Sequence, residues 1–555
     1  MKLYRWLLLG ILGCLLIAAL SYFWATGLMD SLYTYRSPLA GDPPAPGEAL
    51  GQPLTQRAVL VLIDALRYDT SLKQEVMPFL NGLREQGAWA TMHSRPPSYS
   101  APGYSVLMTG AWPDLSDGPA MNPNDGELPR TWTQDNLFSA AHRAGLKTAV
   151  SGYFWFEGLI PQADVDAGFY TPGEDAAADR EVVDAALPWL EGGAYQFVLI
   201  HLDQVDYAGH HEGGPRSPNW DAAASRCDDL LREIVSSLDL ERDTVVVFSD
   251  HGQIDAGGHG GQDPIVLIEP FVMAGAGVAP GQYDDMDMVD VAPTVAALLG
   301  TNIPAAAQGQ ALTEMLRLSN SERANIVSAS IAQQRTLYET YAKAMRIEPV
   351  QVALDLNHYP ITIFQSAMTS IKNDRLNRER LPRFALALAA VLAPAWLLYR
   401  KRGVKVAWLL GGALVYLLLF NLRYAILDGR TYSLSSVASA DDIILYTAIT
   451  TLIAFGLAWL GAMLGLHAFK DKPVQAAETS FALTFVTLYL VSLPALWSFA
   501  LNGALVAWTL PDFGSMFLGF LSILQSLVLA GSGLVLAGLA SLISQIVSLK
   551  QGTNL

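Results

Sequence analysis

An α/β domain, built as a mostly parallel sheet sandwiched by helices, together with an all-α transmembrane bundle, is the fold class this sequence predicts. Short apolar runs at 58–63, 197–200 and 244–248 recur between longer amphipathic stretches, which is the spacing of strands joined by crossover helices. These runs are apolar throughout rather than alternating, as strands covered on both faces are. After about residue 380 the composition shifts to a series of long apolar stretches.

Taken from the N-terminus, residues 6–23 form an unbroken apolar run behind Lys2 and Arg5. We read residues 1–27 as an uncleaved signal anchor rather than a cleaved signal peptide, because the run is span-length and no small-x-small cleavage site follows. Pro43-Pro44-Ala45-Pro46-Gly47 marks residues 28–56 as a linker. Strand-like runs at 58–64, 147–152, 196–202, 243–249 and 265–273 then alternate with helix-like stretches near 134–145, 178–191, 220–238 and 290–299, which defines a domain over 57–318. Residues 319–382 are polar and helical, with Glu322-Arg323, Gln333-Gln334-Arg335 and Asn373-Asp374-Arg375, and are read as a neck. Apolar stretches near 384–399, 405–427, 442–468, 480–502 and 514–546 are long enough, or nearly so, to cross a hydrocarbon layer of about 30 Å. They predict a bundle of about five helices over 383–555 and about six spans in all.

Basic residues set the expected orientation. Arg400, Lys401, Arg402 and Lys405 lie between two late stretches, Lys470 and Lys472 between two others, and Lys550 after the last. Placed on the cytoplasmic side with Lys2 and Arg5, they put both termini in the cytoplasm and the 57–318 domain outside. The lipid bilayer is therefore an expected partner, and the sequence names no protein partner. A formal net charge of −17 with no basic stripe argues against nucleic acid. Cys14 and Cys227 are the 2 cysteines, too few for a disulfide framework or a thiolate metal cluster.

The strand ends carry the chemistry. Asp64 closes one apolar run, Asp206 and His210 follow another, and a third runs into Ser249-Asp250-His251-Gly252 and Gly257-Gly258-His259-Gly260. In an open α/β sheet the C-terminal strand edge is where ligands bind, so these residues can converge on one pocket. Carboxylates mixed with imidazoles suit divalent cations. A turn-rich segment, Pro96-Pro97-Ser98-Tyr99-Ser100-Ala101-Pro102-Gly103-Tyr104, leads into a helix-like run, and a hydroxyl at such a helix entrance meets free N–H groups that favour a phosphate. Singly, Asp64 reads as a helix cap, Asp250 as a turn brace and His259 as part of a flexible glycine loop. Jointly and in order they point to a site. His201, Asp203, His211 and Asp255 lie beside them and are read as orienting or surface groups. Asn124 and Asp125 fall in a loop able to reach the pocket.

With Met108-Thr109-Gly110, Asp206-x-x-Gly-His210, Asp290-Val291-Ala292-Pro293-Thr294 and Leu298-Leu299-Gly300, these motifs make residues 57–315 resemble the alkaline phosphatase superfamily. The likeness is to its type I phosphodiesterase/nucleotide pyrophosphatase branch, and most of all to the glycosylphosphatidylinositol ethanolamine phosphate transferases. The resemblance implies an alkaline phosphatase-like fold with two divalent cations, expected as Zn2+. It assigns Asp64, Ser100, Asp250 and His251 to one cation and Asp206, His210 and His259 to the other. Ser100 would be the nucleophile that forms a phospho-enzyme, with Ser98 as its rival. Branch members often have Thr at that position, and the lack of Cys there separates the chain from sulfatases. The implied function is transfer or hydrolysis of phosphodiester headgroups, in its specific form phosphoethanolamine transfer from a phospholipid to a glycan or glycolipid. The alternatives are a membrane-anchored hydrolase of nucleotide or other soluble phosphodiesters, distinguished by its acceptor, and a non-catalytic scaffold, which a lost ligand set would reveal. The late spans lack an obvious charged network, and Arg423 and Asp428 are expected as interfacial anchors.

Overall fold

The computed structural model describes residues 5–124, 126–349, 360–437 and 439–552. Asp125 and residues 350–359 of the expected neck lie outside them. Two compact units are present, one of Leu32–Arg375 with Ala507–Leu510 and one of Met1–Ser31, Leu376–Val506 and Pro511–Leu555.

In the first unit, β1 (Arg57–Ile63), β2 (Ala88–His93), β3 (Thr148–Tyr153), β4 (Ala167–Thr171), β5 (Phe197–Leu202), β6 (Asp243–Phe248), β7 (Ile268–Gly275) and β8 (Gly281–Gln282) form a sheet in the order β4-β3-β5-β1-β6-β7-β2-β8. A further short strand, β9 (Met286–Asp287), pairs with β2. From β4 to β6 every neighbour is parallel, whereas β7 runs antiparallel to both β6 and β2. The expected mostly parallel sheet is thus present, with an antiparallel β7 beside its parallel centre.

Both faces of the central strands are covered. Along β1, Ala58, Leu60 and Leu62 enter one core while Val59, Val61 and Ile63 enter the other, all at 0% exposure. The first core includes the helices Ser100–Thr109 and Val291–Leu299, and the second includes Ala176–Gly192 and Pro218–Ser236. Each such apolar side chain contributes about 1.5–3 kcal/mol when fully buried. The register pairs Leu62 with Phe248 and Ile63 with Leu202, so the residues that follow β1, β5 and β6 emerge side by side at one edge.

Asp290 opens the helix Val291–Leu299 and is nearly buried. Its carboxylate accepts the N–H of Asp287 at 3.0 Å and of Gln310 at 2.8 Å. Burial outweighs these bonds and raises its pKa to about 7. The folded group therefore holds a proton that the unfolded chain has released, so stability is complete below about pH 4 and declines as pH rises toward 7. We expect thermal unfolding in detergent to show Asp290→Asn with a flatter pH profile than the wild type over that window, the gap between the two changing by roughly 2–4 kcal/mol across it. Parallel profiles would contradict this.

In the second unit and its flanks, the helices Arg5–Tyr33, Thr362–Arg400, Val404–Leu427, Asp441–Gly465, Pro473–Asn502 and Phe513–Lys550 are long and apolar enough to cross a membrane, which fits an integral membrane protein. Polar groups inside the bundle pair locally, Tyr416 Oη donating to Gln525 Oε1 at 2.7 Å and Trp459 Nε1 to Ser480 Oγ at 2.8 Å. Arg423 faces Asp428 at 3.4 Å and Arg430 faces Asp442 at 2.7 Å.

Candidate functional site

The site is built on the edge where the parallel strands end. Asp64 follows β1, Asp250 and His251 follow β6, and the helix Gln204–His211 begins shortly after β5. Asp64, Asp250 and His251 place ligand atoms within 4.8 Å of one another, and so do Asp206, His210 and His259.

In the first cluster His251 Nδ1–H donates to Gly252 O at 3.1 Å, which leaves Nε2 as a free lone pair. That nitrogen faces Asp250 Oδ2 at 3.3 Å, Asp64 Oδ1 at 3.4 Å and Ser100 Oγ at 3.2 Å. Asp64 Oδ1 and Asp250 Oδ2 are buried and accept no hydrogen bond. Electron-rich atoms facing one another in dry surroundings repel unless a cation or a proton lies between them, and two carboxylates with an imidazole nitrogen are a donor set that fits a metal ion. Burial and the charge of Asp64 push the Asp250 carboxyl well above the usual carboxylate range. Burial works against Asp64 too, but the hydrogen bond from His201, with His251 and Tyr104 nearby, holds it below that range.

Asp206 and His210 in the second cluster stand four residues apart on one helix face. His210 Nε2 lies 2.9 Å from His259 Nε2, and the two approach Asp206 at 3.4 and 3.5 Å. His259 Nδ1–H donates to Ser98 O at 3.0 Å, again leaving Nε2 free. Burial, then the neighbouring His251 and His210, depress its pKa far below the usual imidazole value, which leaves a neutral nitrogen able to hold a metal. The rings of His251 and His259 stack with centroids 3.8 Å apart, which sets the two clusters side by side.

Supporting groups fix these ligands. Tyr104 Oη donates to Asp64 Oδ2, and His201 Nε2 meets the same oxygen at 2.9 Å. Gln253 Nε2 donates to Asp206 Oδ1 at 2.6 Å while its Oε1 accepts Gly258 N–H at 3.1 Å. The glycine of Asp206-x-x-Gly209-His210 has a steric cause here, because a Cβ on Gly209 would fall 1.9 Å from Gln253 Oε1. Gly103 likewise lets the helix Ser100–Thr109 approach Asp250, whose Cβ would lie 2.9 Å from an added methyl.

The two serines have different surroundings. Ser98 Oγ donates to Gly261 O at 2.9 Å and accepts Gly260 N–H at 3.0 Å, so it braces the loop that carries His259. Ser100 is the first residue of its helix, with its hydroxyl against His251. The N–H of Ala101 donates to Asn122 Oδ1 at 3.0 Å, and among the described residues the Asn122 amide N–H groups have no partner, so they can meet an anion beside Ser100.

Other expected residues lie apart from the clusters. His211 packs beside Tyr207 with the rings tilted and their centroids 4.7 Å apart, and Asp255 pairs with Arg67 at 2.8 Å. Asn124 bonds the exposed Glu127 at 3.0 Å; it is Asn122 of the same loop that reaches the helix entrance. Asn122, Gln253 and Tyr104 were not legible as site residues, since amides and phenols carry no spacing signal. His201 and Asp203 form a third close group with Asp64.

Residues 58–367 match the family model described as type I phosphodiesterase / nucleotide pyrophosphatase. Over 336 residues the chain is 26% identical to GPI ethanolamine phosphate transferase 3, catalytic subunit, of Mus musculus, covering 54% of this chain and 30% of that protein. Over 306 residues it is 28% identical to GPI ethanolamine phosphate transferase 2, catalytic subunit, of Homo sapiens, covering 50% of this chain and 30% of that protein. The matched part therefore spans less than a third of the length of these relatives. Human ectonucleotide pyrophosphatase / phosphodiesterase 5 is a similar solved structure at 15% identity and a TM-score of 0.38, covering 47% of this chain and 100% of that one.

Proposed function

The chain belongs to the type I phosphodiesterase / nucleotide pyrophosphatase family, and from that premise we propose that it is a membrane-anchored phosphodiesterase/phosphotransferase acting on phosphodiester headgroups. The observation that carries this reading is the convergence of the Ser100 hydroxyl with the two Asp/His clusters. Asp64, Asp250 and His251 with Ser100 would hold one divalent cation, and Asp206, His210 and His259 the other, with Zn2+ the expected metal. When bound, such a pair supplies Lewis acidity that favours the serine alkoxide and offsets charge on the phosphoryl oxygens.

The chain's own residues do the rest. Ser100 Oγ attacks phosphorus, the donor alcohol leaves, and a phosphoserine carries the headgroup until an acceptor hydroxyl takes it. The free amide N–H groups of Asn122 and the positive end of the Ser100–Thr109 helix steady the phosphoryl oxygens. Tyr104, His201 and Gln253 keep the carboxylates aimed, so little reorganisation accompanies the reaction.

The relatives' names support phosphoethanolamine as the group moved and a glycolipid of the GPI type as the acceptor. Six apolar helices support a lipid-linked donor, since anchoring raises the effective concentration of a substrate confined to the same bilayer. Residues 57–318 would be the catalytic domain, 319–382 the neck and 383–555 the bundle. The basic residues between the helices support an extracytoplasmic domain with both termini cytoplasmic. The test is incubation of the purified full chain with phosphatidylethanolamine and a GPI-type glycan acceptor. Mass spectrometry is expected to find the acceptor heavier by one phosphoethanolamine; release of phosphoethanolamine to water alone would instead mark a hydrolase.

A further inference from the structure

Among the described residues, one carboxylate at the site has no hydrogen-bond partner. Asp203 directly follows β5, is 7% exposed, and brings an oxygen within 4.8 Å of ligand atoms of Asp64 and His201. Its backbone N–H goes to Asp179 Oδ1 at 2.7 Å, but among the described residues no donor or cationic side chain reaches its carboxylate. The imidazole beside it has no proton to spare. His201 Nδ1 accepts the N–H of Tyr153 at 3.4 Å, and its Nε2–H is given to Asp64 Oδ2 at 2.9 Å. A buried carboxylate is stabilised by a positive group, and among the described residues none pairs with this one.

We propose that Asp203 receives the primary ammonium of the headgroup whose phosphodiester Ser100 attacks. The proposal rests on the reading above and specifies its substrate as a short amino alcohol ester. An ammonium presents three N–H donors, which suits a carboxylate lacking any. Because both nitrogens of His201 are engaged, Asp203 lacks the imidazole ligand that a divalent cation at this position would share. Asp64 links the two places, Oδ1 facing His251 at 3.4 Å and Oδ2 facing His201 at 2.9 Å.

The experiment compares p-nitrophenyl 2-aminoethyl phosphate with p-nitrophenyl ethyl phosphate, which share a leaving group and differ in the ammonium. With the full chain in detergent micelles and zinc, kcat/KM should favour the amino ester by roughly 10- to 100-fold, and Asp203→Asn should bring the ratio close to one. A variant that slows both esters by one common factor overturns the proposal, because that marks a positioning role. Loss of a third equivalent of metal in Asp203→Asn, measured by elemental analysis, also overturns it by making the residue a metal ligand. So does a defect confined to capture of glucosamine as acceptor, which places the ammonium on the other substrate. If the wild type cleaves both esters equally, the phosphodiesterase reading stands and the subsite falls. If it cleaves neither, both fall.

Discussion

Ser100→Ala is expected to fold normally, keep both Asp/His clusters and hydrolyse bis-p-nitrophenyl phosphate at least about 1000-fold more slowly than the wild type. The size of the effect follows from what is removed. The hydroxyl is the one oxygen placed both at the first turn of a helix and 3.2 Å from His251 Nε2, so no neighbour can take over its attack on phosphorus. Ser98→Ala should behave differently. It deletes two buried hydrogen bonds that hold the loop around Gly260 and Gly261, a loss of about 1–3 kcal/mol, and should slow the reaction modestly by loosening His259. Equal and severe losses in both variants, or substantial turnover by Ser100→Ala, would remove the nucleophile assignment.

His259→Ala is expected to lower metal content from two equivalents to one and to reduce kcat by roughly 100-fold or more. His259 is 5% exposed, shares the second cluster with Asp206 and His210, and covers the face of the His251 ring. Its removal takes away a neutral nitrogen donor of the candidate metal cluster and leaves the 2.9 Å approach of His210 with no counterpart. Elemental analysis on the purified chain, read beside the rate, checks both parts. A variant that still binds two cations and turns over normally would mean that His259 is a packing residue only.

Much of this architecture was visible in the sequence because burial leaves a mark on composition. Strands β1, β5 and β6 are enclosed on both faces, so their runs are apolar without interruption. β2 alternates between buried and half-buried residues over Ala-Trp-Ala-Thr-Met-His, and β4 is short and half-exposed, so neither stood out from the surrounding loops. The strand expected at 265–273 starts later, at Ile268, because Pro264–Val266 forms a 3-10 turn. The Asp and His residues of the clusters were legible because they directly follow those buried strands or, with Asp206, His210 and His259, belong to compact motifs. The division of labour between Ser98 and Ser100 was not legible. It depends on the backbone of Gly260 and Gly261, more than 150 positions away, and on the ring of Tyr99, which occupies the space where a Cβ on Gly260 would sit.

The segment from Asp250 to His259 serves both clusters at once. Asp250 and His251 belong to one, His259 belongs to the other, and Gln253 between them steers Asp206. An insertion or deletion between His251 and His259 would move His259 relative to Asp250 and His251, which the end of β6 holds in place. The length of this loop thus sets the separation of the two clusters, and altering it would detune one against the other.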